Sequence, residues 1–258
     1  MRATLRLGRF FGVEVAAHWS VLVIAGLIGY GLTGGTADAT LWAVVVPTVF
    51  VFLGSLLAHE LSHSVVAKRN GMEVRGITLW MLGGVAQLGG PMPTAGAEFR
   101  IAAAGPAMSY ALAASFFGLF KLAGPLGAPD LMGQALEWLA FVNVVLGTFN
   151  LIPAAPLDGG RILASAIWAV THDRTRGEMI ATRVGQGFGA LLVGAGVVGP
   201  FMGVPYVSLW TAFMGLFVLR AATAEYQNAR LAGVLHDVQH RGEAVTPQEE
   251  LSRSTTMP

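Results

Sequence analysis

His59-Glu60-Leu61-Ser62-His63 sets two imidazoles four residues apart with a carboxylate beside the first. On an α-helix this spacing puts both histidines on one face, about one turn apart, which is the geometry two zinc ligands need. Glu60 then stands where it can take a proton from a metal-bound water, whose pKa zinc lowers towards about 7, so that the water becomes a nucleophile. A catalytic zinc takes three protein ligands and keeps its fourth position open. Val66 and Arg69 occupy the positions where the longer three-histidine version of the motif needs Gly and His, so the third ligand must come from elsewhere in the chain. There is no cysteine, which excludes thiolate ligation and leaves Glu73, Glu98 and Asp158 as candidates.

Asp158 lies in Asn150-Leu-Ile-Pro-Ala-Ala-Pro-Leu-Asp158-Gly-Gly-Arg161. Pro153 and Pro156 end a helix there, and Gly159 and Gly160 leave the backbone free to turn inward, so an acid at 158 can reach a neighbouring helix. Its competing role is to cap a helix starting near Gly160. His18 is a further imidazole; with three ligands available without it, a structural or gating role is expected.

The elements that carry these residues are membrane helices. The 258 residues are 54% hydrophobic and 12% charged, with a mean hydropathy of +0.61, against about 25% charged residues in an ordinary soluble domain. A net charge of +1 and the absence of any Lys/Arg cluster exclude nucleic acid as a partner. Uncharged runs predict spans over Val15–Ala37, Thr40–Ala58, Ile101–Phe120 and Trp138–Leu157. A fifth and a sixth come from Val184–Leu219, which as one helix would reach roughly 54 Å and must therefore fold back at Gly199, Pro200, Gly203 and Pro205. The first span is read as retained and not as a cleaved signal peptide. Ile162–Thr171 is too short to cross and is expected at the interface or against the bundle. Val74–Leu88, interrupted by Gly83 and Gly84 and followed by Gly89, Gly90, Pro91 and Pro93, predicts a short re-entrant β-hairpin or loop between the second and third helices. The expected fold is thus all-α and polytopic, with six transmembrane helices. Six spans put both termini on one side together with every Lys and Arg except Lys121, and the positive-inside rule makes that side cytoplasmic. The ends of spans two and four, with His59, His63 and Asp158, face that same side.

At these residues the chain resembles the site-2 protease family of intramembrane zinc metalloproteases. The resemblance rests on HELSH at His59–His63 and FNLIPAAPLDGGR at Phe149–Arg161, two separated motifs, each at a membrane-helix end. Phe11-Gly-Val-Glu-Val-Ala-Ala-His18-Trp also looks like the opening of the family's six-span group, and Ala104-Gly-Pro-Ala-Met-Ser109 like its third-span motif, where Gly105 and Pro106 are expected to serve helix packing or a kink. The resemblance implies that His59, His63 and Asp158 hold one zinc ion, that Glu60 is the catalytic base, and that Asn150 is a second catalytic residue, lying near the scissile peptide and helping to hold the substrate or the developing oxyanion. Residues 1–225 are then a transmembrane metalloprotease domain and 226–258 a cytoplasmic tail. Neither a PDZ-like insertion nor the paired cystathionine-β-synthase-type domains of many six-span members is present in the sequence; the ending Ser-Thr-Thr-Met257-Pro258 resembles the opening of such a domain, so the natural chain is expected to run on.

The expected activity is hydrolysis of a peptide bond in a transmembrane helix of another membrane protein. A helix hides its carbonyls in internal hydrogen bonds, so the substrate must be extended before it is cut. Gly83, Gly84 and Val85 can offer a strand edge for it, with Asn150 and Pro153 completing the expected substrate-binding set; the competing role of the glycine-rich segment is a loop packed on the bundle. The partners expected are thus a transmembrane substrate and the lipid bilayer, in a prokaryotic cell membrane. A metal or ion transporter with an intramembrane His/Glu/Asp site and an inactive scaffold are the alternatives; a transporter is expected to show related halves, which the sequence lacks.

Overall fold

The computed structural model describes residues 5–243 except 82, 91 and 206; the Ser254–Pro258 ending and the rest of the expected tail beyond 243 lie outside the described residues. The chain divides into two compact units, one running to Ile152 and including Leu157–Ile162, the other made of Pro153–Pro156 and the residues from Leu163 on.

The first unit begins with strands β1 (Leu5–Phe10) and β2 (Val13–Ala17) and helices α1 (Ser20–Thr33) and α2 (Ala39–Arg69). Strands β3 (Glu73–Trp80) and β4 (Gly83–Gly89) follow, then helices α3 (Ala95–Ala123) and α4 (Asp130–Asn150). The strands make one sheet in the order β1-β2-β3-β4, with β2 and β3 parallel and the outer pairs antiparallel. β4 is therefore an edge strand.

Burial in β2 alternates at the strand period, with Val13, Val15 and Ala17 inside and Glu14 outside. These side chains join Ile77 and Leu79 of β3 and Leu61 of α2 in one core, against which Leu53 and Leu57 pack. Val13, Val15 and Ile77 are at most 1% exposed, and full burial stabilises such side chains by roughly 1.5–3 kcal/mol each. Leu53, Leu57 and Leu61 recur every four residues and form one stripe along α2; His59 and His63 form a different one. The sheet thus fixes α2 by its leucine face and leaves its histidine face to other partners. α2 starts cleanly because the Asp38 carboxylate accepts the amides of Thr40 and Leu41, and it ends at Asn70 after Lys68 and Arg69, cations that suit a helix C-terminus.

Among the described residues four helices are long and apolar enough to cross a membrane: Ala39–Arg69, Ala95–Ala123, Asp130–Asn150 and Arg174–Met202. Large apolar side chains on the helices face outward, among them Leu22 (74% exposed), Phe50 (68%) and Phe141 (65%), as lipid-facing surfaces require. In the second unit, α6 (Arg174–Val198) continues through a 3-10 turn (Gly199–Met202) and then returns as α7 (Leu209–Glu243). Their backbones come close because glycines line the contact: a Cβ on Gly189 would fall 2.7 Å from the Leu219 nitrogen. Helix α5 (Asp158–Thr171) has its first residues in the first unit and the rest in the second.

Two expectations change. The chain is mostly helical but not all-α, because residues 5–17 build two strands that join β3 and β4 in a four-stranded sheet. The period-two pattern of Val13, Val15 and Ala17 is short, and it runs directly into the apolar residues that follow. The expected span Val15–Ala37 is for the same reason a strand end plus a 14-residue helix. That helix is about 21 Å long, less than a hydrocarbon core of about 30 Å. The fold-back near Gly199 and the short helix ending at Thr171 lie where the sequence put them. Position 225 falls inside α7.

Candidate metal centre

His59 and His63 sit one turn apart on α2 with ring centroids 5.0 Å from each other, and they are 2% and 7% exposed. Each uses Nδ1 to reach α3. His63 Nδ1 is 2.6 Å from the Ile101 carbonyl, which can only accept, so Nδ1 carries the proton and Nε2 presents a lone pair. His59 Nδ1 is 2.8 Å from the Ser109 hydroxyl, and Ser109 is fully buried. Both Nε2 atoms therefore point into the same space. Asp158, the first residue of α5, closes it, with Oδ2 3.2 Å from His59 Nε2 and 3.2 Å from His63 Nε2.

The three ligand atoms lie within 4.8 Å of one another. In a tetrahedral zinc site with ligands at 2.0–2.1 Å, neighbouring ligand atoms are about 3.3 Å apart, so both histidine-to-aspartate distances suit such an ion. Two imidazole nitrogens and one carboxylate oxygen also form a usual zinc donor set with the fourth position left over. Space for the ion depends on Gly105 of α3. A Cβ there would run into Nε2 of both histidines.

Glu60 leaves α2 on another side and meets the sheet. Its Oε1 accepts the Gly84 amide of β4 at 3.1 Å. Gly84 has to be small, since a Cβ there would come within 2.5 Å of Glu60 Cγ and 2.7 Å of Cδ. Gly83 pairs with Trp80 and Val85 with Thr78 across the β3–β4 ladder.

The other candidates are dispersed. Glu73 is exposed on β3 beside Arg75, at 3.8 Å, and Glu98 is buried on α3 with Arg161 at 3.9 Å; neither belongs to the cluster. His18 also lies outside it, with Nδ1 2.8 Å from Ser20 Oγ, which in turn accepts the Met81 amide. Asn150 ends α4 and donates through Nδ2 to the Leu146 carbonyl at 2.9 Å. Pro153 is exposed in a turn of the second unit.

Ile101, Gly105 and Ser109 were not among the expected site residues. They recur every four residues and so share one face of α3. That period is readable in the sequence; the helix it meets is not.

The profile of peptidase family M50 matches residues 47–130 and 121–192. The chain is 41% identical over 232 residues to the Rip3 protein of Mycobacterium tuberculosis, covering 87% of this chain and 59% of that protein. It is 32% identical over 220 residues to the zinc metalloprotease MJ0392 of Methanocaldococcus jannaschii, covering 83% of this chain and 60% of that protein. The chain thus spans about three fifths of the length of these curated relatives. A solved structure, the site-2 protease from Methanocaldococcus jannaschii, superposes with a TM-score of 0.60 at 28% identity, covering 86% of this chain and 94% of that one.

Proposed function

The chain belongs to peptidase family M50, and we propose that it is an intramembrane zinc endopeptidase that cuts a transmembrane helix of another membrane protein near its cytoplasmic end. The observation that carries this reading is the convergence of His59, His63 and Asp158, with Glu60 of the same helix turned to an edge strand. His59 and His63 ligate through Nε2 and Asp158 through Oδ2. Zinc bound there supplies the Lewis acidity that makes a water nucleophilic near neutral pH. Ser109 and the Ile101 carbonyl hold the two rings in orientation through Nδ1. Glu60 receives the water's proton; the Gly84 amide on Oε1 fixes the carboxylate while Oε2 takes the proton.

The substrate is bound as a strand. A peptide paired with the outer edge of β4 at Gly83, Gly84 and Val85 runs beside Glu60, because Gly84 already touches that carboxylate. Asn150 completes the substrate contacts. In this reading the long apolar helices cross a prokaryotic cell membrane, both termini lie in the cytoplasm, and the glycine-rich β3–β4 segment is re-entrant. Family membership speaks against the transporter and scaffold alternatives.

The decisive variant is Glu60→Gln, which keeps size and zinc and removes the base. Metal analysis should find one zinc per chain, with cleavage of a transmembrane substrate lost. Normal cleavage by this variant would exclude Glu60 as the base.

A further inference from the structure

Glu98 stands in the first turn of α3 and is 4% exposed. A buried carboxylate is costly unless a cation compensates it, and Arg161 Nε of α5 lies 3.9 Å from its Oε1. At that distance the pair is an electrostatic tether rather than a directional hydrogen bond. A well-packed apolar residue would avoid the desolvation altogether, so the use of the pair lies in what it fixes.

Its two ends sit next to the metal ligands without being among them. Arg161 is one helical turn beyond Asp158, and Glu98 is one turn before Ile101, whose carbonyl holds His63 Nδ1. Arg100, in the same turn, donates to Asn70 Oδ1 at the C-cap of α2 at 2.5 Å. A single turn of α3, residues 98–101, thus touches the start of α5, the end of the histidine helix and a histidine ring. The start of α5 also lies hard on the end of α4, where a Cβ on Gly159 would meet the Leu151 and Ile152 carbonyls.

We infer that Glu98 and Arg161 are positioning residues: their ion pair ties the first turn of α5 to α3 and so sets the Asp158 carboxylate between the two histidines. The need for such a tether follows from geometry. Asp158 Oδ2 is 3.2 Å from both Nε2 atoms, and a metal site tolerates ligand displacements of only about 0.2 Å. Asp158 is the first residue of α5, so the placement of that first helical turn decides where its carboxylate lies.

This inference rests on the zinc reading above, and the test separates the two. Zinc affinity of the full chain in detergent is measured by competition with a chromophoric chelator for Arg161→Met, Glu98→Gln, Arg161→Lys and the double variant Glu98→Gln/Arg161→Met. Absorption spectra of the cobalt-loaded proteins report ligand geometry, and melting of the metal-free proteins reports folding. Both neutralising variants should weaken zinc by about 10–100-fold with an altered cobalt spectrum. Arg161→Lys should recover most of the loss, and the double variant should be no worse than the weaker single. Glu98→Gln is isosteric and keeps the test valid if Arg161→Met does not fold. An affinity within about two-fold of wild type in both single variants, or single losses that multiply in the double variant, overturns the inference while leaving the metal reading intact. A wild-type chain that takes up no zinc overturns both.

Discussion

Replacing Gly105 with Ala is the sharpest test of the site, because one methyl group decides whether a metal can be held. A Cβ on Gly105 would lie 2.5 Å from His59 Nε2 and equally close to His63 Cε1. That is about 1 Å inside ordinary contact at roughly 3.5 Å, whereas zinc ligands must be placed to about 0.2 Å. The rings cannot retreat without leaving Ser109 Oγ and the Ile101 carbonyl. In the helix itself the exchange is favourable, since Ala exceeds Gly by about 1 kcal/mol in a helix interior. The metal-free variant should therefore remain folded, with its imidazoles displaced. Zinc affinity should fall by at least about 100-fold, the upper end of what loss of an outer partner costs, because here the ligands themselves are moved. Chelator competition on the purified protein, with melting of the metal-free form as a folding control, measures it. Zinc affinity within about three-fold of wild type would refute the placement of the metal beside Gly105.

Three further outcomes follow from the same geometry. Ser109→Ala removes the partner of His59 Nδ1 and should weaken zinc about 10–100-fold in the same competition assay. Gly84→Ala pushes on Glu60 Cγ and Cδ and should lower turnover about 100-fold, within the range a general base contributes, with zinc content unchanged by metal analysis. Asp158→Ala should lose zinc while Glu73→Ala keeps it, since Glu73 is exposed on β3 beside Arg75; equal retention in both would remove Asp158 from the ligand set.

Much of the His59, His63 and Asp158 cluster was legible because it is written in local spacing. His59 and His63 share a helix face by periodicity alone, and the prolines and glycines around Asp158 announce an acid turned inward. Asp158 was separated from Glu73 and Glu98 by family resemblance, not by the residues, and it is the fold that brings it to the histidines. The strands β1 and β2 were not legible, because Val13, Val15 and Ala17 give too short an alternation beside a long apolar run. Gly105 was legible as a point of close helix approach, but the sequence does not say which side chains meet it, and in the structure they are His59 and His63 of α2.

The arrangement divides the labour of α2 between separate supports. Its histidine face hangs on α3, through Ile101, Gly105 and Ser109, and its Glu60 hangs on β4, through the Gly84 amide. The leucine stripe packed on the sheet keeps α2 from rolling, and a roll would carry both faces off their partners together. On the proposed reading, ligand geometry and base geometry are therefore set by different elements on one rigid helix, and damage to one need not spread to the other. Substitutions on α3 should act on metal affinity first, and those on β4 on turnover at constant zinc. A Gly84 variant that loses its zinc, or a Ser109 variant that holds zinc normally yet fails to turn over, would show that the two supports are one.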